Sequence, residues 1–238
     1  MKRLSILSIL FIYLFLFSVQ AQEEFYSERK VGRNTVRGFY LGEVKNGSWV
    51  TESFDGSLVK VETYKNGLKH GLFLSYDRKG HLTNQEFYKD DTLQGQQIEY
   101  FDDKKPKSKY TYRKGEITGK AYLYYENGNV MEESDYKYGL KDGISKWFDE
   151  NNKPIAQYEY KDGVFNGSNK FFYPNGNVKT EETYKDNILN GQFKEYYPTS
   201  KVKIIGAFIN GQKHGEWIEY DPHGAEISKK IYENGVEK

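Results

Sequence analysis

Four histidines, His70, His81, His214 and His223, are the residues of this chain best suited to ligating a metal or moving a proton near neutral pH. Either task needs several such groups converging on one point. His70 and His214 stand in equivalent places 144 residues apart. In an array of strands spaced ~4.8 Å apart, that is on the order of 55 Å. They can share neither a metal nor a substrate. His70 with His81, and His214 with His223, sit at opposite turn ends of one short segment and read as turn histidines bonded to backbone. Carboxylate pairs could supply general acid and base, but Glu23-Glu24, Glu132-Glu133 and Glu181-Glu182 read as solvated strand or terminal residues. Glu99, Glu195 and Glu219 each precede an aromatic residue at one recurring place, which is a repeated surface design. No G-x-S-x-G and no phosphate-cradling glycine loop occurs. The expectation is a protein that is not an enzyme, with no catalytic residue, no metal and no cofactor.

Bulk composition narrows the partners. With 35 Lys and Arg against 34 Asp and Glu, the chain lacks the basic excess that neutralises phosphates, so no nucleic acid is expected. The one basic cluster, Lys104-Lys105-Pro106-Lys107-Ser108-Lys109, reads as a solvated turn. A near-neutral chain also offers anionic membranes little attraction, so membrane association would rest on exposed Tyr, Trp and Lys alone. Cysteine is absent, which leaves neither disulfides nor thiolate metal sites to staple the fold. The 22 tyrosines and 15 phenylalanines argue for pleated, half-buried structure and against disorder.

Residues 1–21 are a different material. Lys2 and Arg3 precede an apolar run at 4–17, and Ser18-Val19-Gln20-Ala21 offers small residues for a cut before Gln22. This is the pattern of an export signal. The run is short of the ~20 residues that span a bilayer. The mature protein is therefore expected to be periplasmic, envelope-associated or secreted.

The elements that must position everything else come from a strict period. Gly47, Gly71, Gly95, Gly119, Gly143, Gly167, Gly191 and Gly215 are each 24 residues apart. Seventeen residues after each stands Tyr64, Tyr88, Tyr112, Tyr136, Tyr160, Tyr184, Phe208 or Tyr232. Such a period means one supersecondary unit stacked on copies of itself. Eight copies fill 47–238, and 22–46 fits as a degenerate N-terminal capping copy, with Tyr40 where the seventeenth-place aromatic belongs. Within the copy at 167–190, a short strand meets Pro174-Asn175-Gly176-Asn177, where proline fixes φ and Asn-Gly accepts the positive φ of a tight turn. A second turn, marked by Asn66-Gly67, Asn210-Gly211 and Asn234-Gly235 in other copies, precedes the next glycine. Each copy is a β-hairpin. The whole is expected to be all-β, an elongated antiparallel meander of about eighteen strands.

Five residues after each glycine from Gly71 onward come Tyr76, Tyr100, Tyr124, Phe148, Phe172, Tyr196 and Tyr220. They share a face with the residues two earlier, among them Lys146, Lys170 and Lys194, so that face is only partly dry. The fifth-place and seventeenth-place aromatics are expected to stack between neighbouring hairpins. Trp49, Phe73, Phe193 and Trp217, two after the glycine, should point to the opposite face unless the glycine kinks the strand. The glycine is expected to allow a left-handed turn and close approach of a neighbouring ring.

The string Asn210-Gly211-Gln212-Lys213-His214-Gly215-Glu216-Trp217-Ile218-Glu219-Tyr220-Asp221-Pro222-His223-Gly224 resembles the MORN repeat in its bacterial variant, as do Asn66-Gly67-Leu68-Lys69-His70-Gly71-Leu72-Phe73 and Tyr173-Pro174-Asn175-Gly176. The resemblance covers roughly 47–238. It implies a protein-interaction or lipid-associated module, or an antitoxin component of a toxin–antitoxin system. For this chain the expectation is an exported binding or scaffold surface for another protein or an envelope component. The alternative is a cell-wall or carbohydrate-binding module that traps sugars between successive rings. No single residue stands out as the binding site.

Overall fold

The computed structural model describes residues 23–238, and the expected signal at 1–21 with its cut before Gln22 lies outside the described residues. Every regular element among them is a β-strand, and the twenty-three strands form one sheet. It opens with Glu24–Val31, Asn34–Leu41, Val44–Glu52 and Leu58–Lys65, each paired antiparallel with the next, and continues in that way to Val236–Glu237. Four strands are two-residue stubs separated by one residue from the strand that follows, as Leu68–Lys69 is from Gly71–Tyr76. Counted with their continuations, they leave nineteen rungs, close to the expected eighteen. The elongated all-β meander is the observed fold.

Two kinds of turn alternate along its edges. On one edge, Asn66 and Gly67 hold φ of 51° and 83° between the paired residues Lys65 and Leu68. Two successive positive φ values make a two-residue type I′ turn, whose twist matches the strands it joins. Adjacent turns on this edge are tied by backbone: Gly67 donates to the Lys45 carbonyl at 2.8 Å, Gly115 to Leu93 at 2.9 Å and Gly211 to Leu189 at 2.8 Å. On the other edge, Gly176 donates to the Tyr173 carbonyl and Tyr173 to that of Asn177, both at 2.8 Å. Here only Gly176 has positive φ, so Asn175 does not take the left-handed conformation expected for it. The turn is a three-residue loop closed by a left-handed glycine. Where aspartate opens this loop, its carboxylate organises it. Asp221 accepts from the backbone of His223, Gly224 and Ala225, which holds its carboxyl below the usual range.

The repeat glycines mark a regular irregularity. Between the pairs Tyr64↔Lys69 and Val61↔Leu74, two residues of one strand oppose four of the other. Gly71 sits in this bulge, and all eight repeat glycines have positive φ, from 67° at Gly47 to 131° at Gly191. The kinked start is real. It adds residues to one side of the ladder once per copy, which sharpens the local twist.

Candidate functional site

Strand register decides which rings meet. The repeat glycine pairs with the seventeenth-place residue, as Gly71 does with Tyr88, so the second-place and seventeenth-place side chains lie on the same face. There the aromatics do meet, edge to face. Phe73 lies 5.5 Å from Tyr64 and 4.9 Å from Tyr88, and Trp217 lies 5.1 Å from Phe208 and 6.2 Å from Tyr232. The fifth-place rings Tyr76, Tyr100, Tyr124, Phe148, Phe172, Tyr196 and Tyr220 belong to the opposite face and are half-buried. The expected stacking of fifth-place on seventeenth-place rings is therefore corrected: an odd number of pleats separates them, and the seventeenth-place rings meet second-place rings toward the ends and Tyr110 or Phe165 in the middle.

A lysine two residues before the glycine covers this ladder in four copies. The Lys45 ammonium lies 4.5 Å from the ring centres of both Trp49 and Tyr64, and Lys213 lies 4.2 Å from Trp217 and 5.0 Å from Tyr232. Each is a cation–π contact that also lays an apolar stem over the rings. Burial pushes the seventeenth-place phenols up, with neighbouring glutamates adding to it. Tyr64, Tyr88, Tyr136 and Tyr184 reach about 12.

The close approach of a ring to glycine also occurs, at different glycines from those expected. A Cβ at Gly38 would stand 2.4 Å from the Trp49 indole, and one at Gly206 would stand 2.3 Å from that of Trp217. These are fifteenth-place residues, opposite the second place of the next copy. Around repeat glycines such as Gly47, Gly95 and Gly215, by contrast, a Cβ would meet nothing within 4 Å. Conformation rather than a pressing ring accounts for them.

The histidines remain apart from one another. His70 Nδ1 lies 3.0 Å from Asp90, and His81 lies 3.4 Å from Asp77. His70 is thus bonded to a turn carboxylate rather than to backbone. No group of three or more His, Asp or Glu among the described residues is placed to hold a metal. Of the carboxylate pairs, only Glu23 and Glu24 are exposed as expected; Glu133, Glu181 and Glu182 are half-buried and bonded to Lys120, Lys170 and Tyr184, and Glu132 departs furthest from the solvated reading. It is buried, and one of its oxygens accepts from Ser134 at 2.5 Å, from Ser145 at 3.0 Å and from Lys141. Ser134 and Ser145 are themselves 2.7 Å apart and buried. Three donors saturate that carboxylate oxygen, so the cluster is a structural polar core.

Beside this core, the units at 95–118 and 119–142 form a cleft of about 650 Å³. Second-place Gln97 lines it where the end copies carry tryptophan or phenylalanine, and Tyr110, its partner on the neighbouring strand, lines it too. At the turn edge, Tyr125, Tyr173 and Tyr197 donate their hydroxyls to carbonyls of the next copy, at Phe148, Tyr196 and Tyr220, over 2.7–2.8 Å. Phe101 stands in that place one copy earlier and has no hydroxyl to donate. The strap is missing there, and the cleft opens between Phe101 and Tyr125. Sequence reasoning passed over these residues because it followed what repeats. The available signal was Gln97 where the end copies carry a ring and Phe101 where the next copy carries a tyrosine.

The MORN repeat variant family matches the chain at residues 69–90, 93–114, 117–138, 141–162, 165–186 and 189–210, together more than half of it. Each matched segment begins two residues before a repeat glycine, the place from which Lys69 and Lys141 cover rings. No curated protein matches the chain.

Proposed function

Because the chain belongs to the MORN repeat variant family, we propose that it is an exported, non-enzymatic binding or scaffold protein whose long β surface engages another protein or an envelope component. The observation that carries this reading is the unbroken pairing of one sheet from Glu24 to Glu237, which presents equivalent side chains again and again along its length. The buried carboxylate Glu132 is tied up within the fold by Ser134 and Lys141. Antitoxin-like action is the form this takes where the partner is an exported toxin. The carbohydrate alternative needs ring faces open in grooves. Trp49, Phe73 and Trp217 are buried, which weighs against it.

Equivalent weak contacts along a rigid array add through effective concentration, so affinity should climb steeply with the number of copies retained. A pull-down from the host envelope fraction supplies the partner. Capped truncations of four, six and eight hairpins, each verified as folded, are then compared for binding. Rising affinity supports the reading; full affinity in the four-hairpin piece defeats a distributed surface, and no binding by the full chain defeats the reading altogether.

A further inference from the structure

The cleft between Phe101 and Tyr125 is chemically unlike the rest of the array. Its lining sets Tyr110, Leu123 and Met131 beside the two rings, with the Lys107–Glu99 pair and polar Gln97, Ser108 and Asn127 among them, and the exposed Glu126 and Glu150 complete it. Neither rim carboxylate forms an ion pair with any cation among the described residues, and both are exposed. The lysines nearby are already engaged. Lys107 lies 3.8 Å from Glu99, while Lys105 lies 2.7 Å from Asp103 and donates to the Glu126 backbone carbonyl at 2.9 Å. The space that remains is aromatic-walled with unbalanced negative charge at its mouth. An anionic ligand would meet the wrong sign there. A neutral sugar could stack on the rings but would leave the carboxylates uncompensated.

We propose that this cleft receives an arginine side chain from an extended segment of a partner protein. Guanidinium is the cation whose flat face stacks on aromatic rings while its edge donates two parallel hydrogen bonds to a carboxylate. Phe101 and Tyr125 provide the rings, and Glu126 and Glu150 the carboxylates. About 650 Å³ is more room than one side chain fills, and an adjoining hollow of about 550 Å³ shares Phe101, Lys107 and Glu126, so flanking residues of the segment have space to lie along the turn edge. Gln97 in place of a ring and Phe101 in place of a hydroxyl strap thereby gain a purpose.

The inference rests on the binding reading above and assigns the partner's chemistry at one place on the surface. It is tested on the full chain with an acetylated hexapeptide of alternating glycine and arginine, followed by the ring-proton NMR shifts of Phe101, Tyr110 and Tyr125. The citrulline counterpart keeps the shape and removes the charge. The expected result is saturable shifts with the arginine peptide, binding at least tenfold weaker with the citrulline peptide, and a similar loss in the double variant Glu126→Gln, Glu150→Gln with its thermal midpoint unchanged. Equal binding of the two peptides, unchanged binding by the double variant, no shifts at all, or shifts at these rings with a chitin or cellulose hexasaccharide alone would each overturn it. A partner still captured equally well by the double variant would remove the cleft's role and leave the extended-surface reading standing.

Discussion

The two ends of the array and its centre solve one packing problem in opposite ways. Across each junction between copies, a fifteenth-place residue faces the second-place residue of the next strand. At the ends these are Gly38 with Trp49 and Gly206 with Trp217, an absent side chain beneath the largest one. In the middle they are Tyr110 with Ala121 and Ser134 with Ser145, the order reversed or both small. The backbone pairing is common to both regions. What the difference teaches is that the pairing and the turns specify the repeat, while each junction is free to choose how its volume is filled. Where it is filled by an indole, the face is closed. Where it is filled by serines and a carboxylate, a polar network forms, and beside it a cleft opens.

The largest expected loss comes from emptying an end junction. Trp217→Ala removes the indole that contacts Phe193, Phe208 and Tyr232 and leaves bare backbone at Gly206 beneath it. The cost should be roughly 3–5 kcal/mol. Since each hairpin leans only on its neighbours, hydrogen exchange should speed up at 202–238 before it does at the centre. Uniform loss along the whole chain would show that the ends and centre are not independent. The two ends can also be told apart: Trp49 Nε1 donates to the Phe39 carbonyl at 3.0 Å, whereas Trp217 Nε1 is buried without a partner. Trp49→Phe should therefore cost more than Trp217→Phe, by about one hydrogen bond, ~1 kcal/mol, read from denaturant midpoints.

The central junction should break differently. Glu132→Ala leaves the Lys141 ammonium without its carboxylate and two buried serines without their acceptor. Removing one partner of a buried pair costs about 3–5 kcal/mol. The lower figure is expected here because the Lys141 side chain keeps 22% of its exposure. Adding Lys141→Met to Glu132→Ala should recover part of that loss. If the double variant is no more stable than the single one, the ion pair is not what holds this junction.

How far these regions could be read from the chain follows from what repeats. Period, hairpins, turn glycines and the meander were legible because Gly47 through Gly215 and Tyr64 through Tyr232 recur at fixed offsets. The face assignment was half legible. Counting pleats correctly put the second-place and fifth-place residues on opposite faces, but which of them joined the seventeenth-place rings depended on cross-strand register, set by a bulge that adds one residue at Glu52↔Leu58 and two more around each repeat glycine. The cleft and the Glu132 network were not read at all, since both are departures from the pattern. Buried Glu132 and half-buried Glu133, which pairs with Lys120, are adjacent letters that a pleat sends to opposite faces.

The seventeenth-place phenols are common to both regions and give a test of pH. Tyr64, Tyr88, Tyr136 and Tyr184 ionise at about 12 in the fold, against about 10 for tyrosine in an unfolded chain. Between those values the unfolded chain releases protons that the native state keeps, so stability is intact below pH ~10 and falls as pH rises toward ~12. Absorbance titration of phenolate should show these rings lagging the rest, with denaturant midpoints falling over the same window. Phenolate formation complete by pH ~10.5 in folded protein would mean the rings are not shielded.

The smallest effect belongs to the face that carries no ring ladder. Tyr124 and Phe172 are half-buried, and the ring nearest to Tyr124 is Tyr122 of its own strand, at 6.1 Å. No ring pair joins either of them to the next copy as Trp217 joins Phe193, although fifth-place Tyr100 and Tyr196 donate to Gln85 and Glu181 of the copy before. Their neighbours two residues earlier are Tyr122 and Lys170, and Lys170 is paired with Glu181 at 3.1 Å, so the surface around Phe172 is charged and wet. Tyr124→Ala and Phe172→Ala should each cost about 1–2 kcal/mol, within the ordinary range for a single substitution. A loss as large as that of Trp217→Ala, measured by the same denaturant titration, would mean that this face is also a core and that the sheet is dry on both sides.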